Sequence, residues 1–142
     1  MLRATFPDAG EQSPEALLAA YGSVLAETVE TVGTDAVVES TALDREVINA
    51  AAAGEVAALS LEDATAVLAA DPERPDADAL QAEAQDILLM GMTTAVMDVE
   101  TLASGIDSQL EPKEIQQKRE GRYPMTLEEY ALLHSYIESQ QR

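Results

Sequence analysis

Arg45 and Asn49 stand four residues apart in the run Asp44-Arg45-Glu46-Val47-Ile48-Asn49, a spacing that puts both side chains on one side of a helix. Arginine and asparagine make bidentate hydrogen bonds to guanine and adenine edges in the major groove, so the pair is a candidate for reading DNA. A second candidate is cationic. Lys113, Lys118, Arg119 and Arg122 are four of the chain's eight basic residues, gathered within ten positions, where an acidic partner, a nucleic acid or the chain's own acidic part could dock. A third candidate is apolar: Ile87, Met90, Gly91, Met92, Ala95 and Met97 lie in a tract framed by Asp86 and Asp98. Gly91 and Ala95 offer a small-residue groove to another backbone, and methionine adapts to irregular partner surfaces.

Acid–base and metal chemistry find less support. His134 is the only histidine and cysteine is absent, so neither a His/Cys zinc site nor thiolate chemistry is available. With Tyr130 and Ile137 on its side of a helix, His134 reads as a packed residue. The twenty-seven carboxylates generate many chance pairs, so no pair is informative. There is no phosphate-cradling glycine loop, nucleophile elbow or nucleotide fingerprint. The expectation is a non-catalytic chain with no cofactor and no metal.

The charge is uneven. The formal net is −19. Residues 1–110 carry twenty-one carboxylates against Arg3, Arg45 and Arg74, a net of −18, whereas residues 111–142 are nearly balanced. Non-specific affinity for DNA comes from neutralising phosphates with lysine and arginine, so this balance works against the DNA reading. Lysine is scarce while Ala, Val and Thr are plentiful, which fits a cytoplasmic protein of a halophilic archaeon: in molar salt the Debye length is about 3 Å, and crowded carboxylates stop repelling one another. The apolar tract from Ile87 to Met97 is about half the roughly 20 residues that a membrane span needs. The first residues hold no apolar stretch long enough for a secretory signal.

The elements that must position these groups are helical. Ser13-Pro14-Glu15 opens a helix whose apolar stripe includes Leu17, Tyr21, Val24 and Leu25, and Gly33 ends it. Thr34 starts a short second helix and Asp44 a third. Ser60-Leu61-Glu62-Asp63 and Thr126-Leu127-Glu128-Glu129 are capping boxes, the first with Asp in place of the usual Glu or Gln. Asp76 or Asp78 opens a long central helix expected to run to about Ser104, and Pro112 begins a helix ending at Gly121. Residues 71–77 are the proline-rich linker candidate. The expectation is an all-α, multi-helix bundle: a compact N-terminal helical unit over residues 1–70, the linker, then the long helix and a C-terminal helical pair over residues 78–142.

The arrangement at 34–54, with Val37 and Val38 inward on one helix, Ala42 in the turn, and Leu43, Ile48 and Ala51 holding the next, resembles the lambda-repressor-like helix-turn-helix class. It departs from that class in lacking the turn glycine and in setting Asp44 and Glu46 beside Arg45 and Asn49. The whole chain also resembles an uncharacterised family of small acidic helical proteins from halophilic archaea. That likeness rests on the stretch Asp86-Ile87-Leu88-Leu89-Met90-Gly91-Met92-Thr93-Thr94-Ala95-Val96-Met97-Asp98-Val99 and the tail Gly121-Arg122-Tyr123-Pro124-Met125-Thr126-Leu127-Glu128-Glu129-Tyr130, and it brings no functional residues with it. The sequence therefore favours a protein-protein interaction or adaptor role, toward an unknown partner or a second copy as a homodimer, with DNA-binding regulation as the alternative.

Overall fold

The computed structural model describes residues 6, 8–106 and 108–141, and within them the chain forms a 3-10 turn (Ala9–Glu11) and eight α-helices. These are α1 (Pro14–Val32), α2 (Thr34–Ser40), α3 (Arg45–Ala52), α4 (Leu61–Ala69), α5 (Ala77–Thr94), α6 (Val99–Gly105), α7 (Pro112–Arg119) and α8 (Leu127–Ser139). The fold is an all-α multi-helix bundle.

Short polar side chains set the helix starts by accepting amide hydrogens that the first turn leaves free. Ser13 Oγ accepts from Ala16 N at 3.1 Å, Ser60 Oγ from Asp63 N at 3.1 Å, and Asp76 Oδ1 from Ala79 N at 2.8 Å. At α8 the box is reciprocal: Glu129 N donates to Thr126 Oγ1 at 3.1 Å while Thr126 N donates to Glu129 Oε1 at 3.0 Å. Gly33 closes α1 at φ +95°, a backbone conformation that side-chain-bearing residues rarely adopt.

One continuous core runs through the helices. Leu17, Tyr21 and Leu25 of α1, Leu68 of α4, Leu80 and Leu88 of α5, and Leu127, Tyr130, Leu133 and Ile137 of α8 are buried in it, together with Leu102 of α6 and Ile115 of α7. Helix α8 packs on α1, α4, α5 and α6, so the C-terminal helix is central to the bundle. The starts of α4 and α8 are stitched by two backbone hydrogen bonds, Leu61 N to the Met125 carbonyl at 2.7 Å and Leu127 N to the Leu59 carbonyl at 2.8 Å.

The single long helix expected from residue 76 or 78 to about Ser104 is instead two. Helix α5 ends at Thr94, and α6 leaves it at 92°. Val96 sits at the corner with φ +54° and is 91% exposed. A β-branched residue in the left-handed region costs about 1–2 kcal/mol. Two gains offset that cost: Asp98 Oδ1 accepts from Thr101 N at 2.8 Å to cap α6, worth roughly 1 kcal/mol, and the turn carries Leu102 to complete burial, worth about 1.5–3 kcal/mol. Among the described residues no single helix is long and apolar enough to cross a membrane.

Candidate functional site

Packing divides the apolar tract between the core and the surface. Ile87 and Met92 are buried, and Ala95 and Met97 are half-buried at the corner. Gly91 is buried against α8: a Cβ built on it would lie 2.6 Å from Ile137 Cγ2 and 3.0 Å from Gln141 Nε2. The small-residue groove expected around Gly91 is thus occupied, at Gly91, by the chain's own last helix, which approaches α5 too closely for a side chain. Ala95 is the C-cap of α5.

Of the six residues, Met90 remains outward, 50% exposed. It has two companions that helical spacing does not single out, Leu89 at 47% and Val96 at 91% exposure. Leu89 borders a depression with Gln85, Asp86, Arg119 and Glu120, Met90 borders the cleft against α8, and Val96 lies beyond the end of α5. Spacing alone assigns the whole tract to burial. The usable signal is Asp98 followed by Val99 and Glu100, a helix start that moves the corner to Val96.

Beside this edge a cleft of about 240 Å³ is lined by Ile87, Met90, Gly91, Thr94, His134 and Glu138. A larger depression of about 710 Å³ lies between the starts of α1 and α8 and is rimmed by Glu15, Glu114, Glu128 and Glu129. Its carboxylates belong to the general acidity of the surface. Among the described residues no group of three or more Asp, Glu or His side chains is placed to hold a metal ion.

His134 forms the back of the smaller cleft. Its Nδ1 lies 2.5 Å from the Tyr21 hydroxyl, with the Tyr21 and Tyr130 rings packed around it and Phe6 edge-on to Tyr21. Burial pushes the imidazole pKa down to about 3, and burial likewise raises that of the Tyr21 phenol. The neutral imidazole and the protonated phenol share this hydrogen bond, its direction set by the imidazole tautomer. Nε2 faces Glu138 Oε1 at 3.9 Å, beyond hydrogen-bonding distance.

The basic residues are mostly engaged internally. Lys118 Nζ pairs with Glu129 Oε2 at 2.5 Å, linking α7 to α8, and Arg122 pairs with Glu120 at 2.6 Å. Arg119 Nε is buried without a hydrogen-bond partner, and Lys113 is exposed. On α3, Arg45 and Asn49 both face solvent, and Arg45 is held by Asp35 of α2 at 2.8 Å.

The model of a family of unknown function, DUF5791, matches residues 17–140, and the chain belongs to that family. No curated protein and no solved structure matches the chain significantly.

Proposed function

We propose that this member of the DUF5791 family is a non-catalytic protein-protein interaction or adaptor protein, cytoplasmic in a halophilic archaeon, that engages its partner through the α5 end and the α5–α6 corner. The observation that carries the reading is the exposure of Leu89, Met90 and Val96 within eight residues of a chain of net charge −19. Large apolar groups left on an otherwise strongly hydrated surface are costly to solubility and mark interaction sites. Asp86, Asp98 and Glu100 lie near them in the chain and supply the polar rim that interfaces carry around an apolar centre. Molar salt strengthens such an apolar contact and screens repulsion between two acidic surfaces.

The test is paired affinity purification in molar KCl using the full chain and its Leu89→Glu and Val96→Glu variants. The reading expects partners or self-association present with the natural chain and lost with both variants. Identical recovery from all three chains would sink it.

A second reading, transcriptional regulation through α2 and α3, draws support from the joint exposure of Arg45 and Asn49 on α3. Asp35, Asp44 and Glu46 around them set carboxylates where phosphates would lie. That reading requires discrete genomic sites in chromatin immunoprecipitation, lost in Arg45→Ala.

A further inference from the structure

The α5–α6 corner turns through 92° without a glycine or proline between Met92 and Ser104. Kinks of this size are ordinarily placed at such residues. Here the left-handed position is taken by Val96, and the turn leaves that side chain almost wholly in water.

Across the corner the apolar residues keep a 3–4 spacing: Leu89, Met92, Val96, Val99, Ala103 and Ile106. That is the pattern of one uninterrupted helix presenting a seam to a second helix. In the bent form the seam is broken up, with Met92 and Ile106 buried in the core and Leu89 and Val96 outside. The apolar spacing thus fits a continuous helix, while the Asp98 cap and the packing of α6, α7 and α8 hold the bent one.

We propose that the corner is a hinge that straightens into one helix from Ala77 to Gly105, about 43 Å long, and that straightening exchanges α6–α8 between two copies of the chain. Opening carries Leu127, Tyr130, Leu133 and Ile137 of α8 away from α1, α4 and α5. A core surface of that composition needs cover, and a second opened copy supplies the same α1, α4 and α5 faces. Every contact across the α1–α8 seam then re-forms between copies, including the Tyr21–His134 hydrogen bond. The exchanged interface is built from core residues and so has the apolar character of an obligate dimer, and an exchange of identical elements creates no new specificity to be satisfied. The straight form relieves Val96 and aligns Leu89, Met92, Val96 and Val99 along the two central helices. Net charge of −19 on each copy opposes association in dilute buffer, so exchange is favoured by salt. The inference goes beyond the interaction reading, because it requires no foreign partner.

The experiment uses the full chain, which has no cysteine of its own. Leu18 of α1 and Leu132 of α8 line one depression, and each is changed singly, Leu18→Cys in one preparation and Leu132→Cys in another. The two are unfolded together, refolded at high concentration in molar KCl, and treated with a short bismaleimide. Exchange yields a dimer by light scattering in which the thiol introduced on α1 of one copy is cross-linked to the thiol introduced on α8 of the other. Val96→Gly, which relaxes the bent corner and weakens the straight helix, lowers the dimer fraction about tenfold, whereas Val96→Ala raises it. A chain monomeric at every salt concentration, or a dimer unaffected by Val96→Gly, overturns the proposal. A dimer without the cross-link overturns the exchange and leaves surface docking through Leu89 and Met90 standing.

Discussion

The Tyr21 hydroxyl and Nδ1 of His134 share a hydrogen bond at 2.5 Å, joining α1 to α8 across 113 positions of sequence. Both groups are buried, so each is the other's replacement for water. Tyr21→Phe leaves the imidazole Nδ1 unpaired, which costs about 1–3 kcal/mol, and urea denaturation at fixed salt measures the loss. Tyr21→Phe combined with His134→Phe removes both polar groups and recovers part of it.

The same pair makes stability depend on pH. The His134 pKa is about 3 in the folded chain and near 6.5 when unfolded, so the unfolded state binds the extra proton between those values. Stability from this group is complete above about pH 6.5 and falls as pH drops toward 3. The difference in unfolding free energy between the natural chain and the double phenylalanine variant therefore shrinks or reverses sign over that window. A difference independent of pH would show that His134 is not buried neutral.

Gly91→Ala ordinarily stabilises a helix interior by about 1 kcal/mol. At this site the added methyl would stand 2.6 Å from Ile137 Cγ2, so the substitution should instead destabilise by roughly 1–3 kcal/mol. Combining it with Ile137→Ala, which removes the obstructing methyl, should cost less than the sum of the single changes in thermal melts.

Val96→Gly should raise the stability of the monomer by about 1 kcal/mol, since glycine adopts a positive φ without a Cβ penalty. A higher melting temperature with unchanged helical circular dichroism is the expected result. No gain would mean that the corner is not strained.

Lys118 and Glu129 are about four-fifths buried at their side chains, yet water still reaches both. Their coupling in a double-mutant cycle using Lys118→Met and Glu129→Gln should be under about 1 kcal/mol in dilute buffer and smaller in molar KCl. Glutamine retains the oxygen that closes the α8 capping box, so the cycle isolates the charge.

Local chemistry is legible in the sequence wherever it acts within a few residues. Ser13, Ser60, Asp76 and Thr126 announce helix starts because a capping oxygen needs only the next turn's amides. Leu17, Tyr21 and Leu133 announce core faces because helical spacing gathers them. His134 reads as a packed residue from Tyr130 and Ile137 alone, but its partner Tyr21 lies on another helix and no spacing rule connects them.

The candidate surface is less legible. Ile87 and Met90 look alike in the tract, and helix propensity runs unbroken through Val96. What separates them is the direction in which α6 leaves, and that is decided by the burial of Leu102 and Ile106 against helices distant in sequence. Neighbouring residues and composition suffice for the helical class, the caps and the acidic character. They do not suffice for the break of α5 at Val96, the filling of Gly91 by Ile137, or the exposure of Leu89 and Val96, because each follows from packing energies between segments that the chain brings together only when folded.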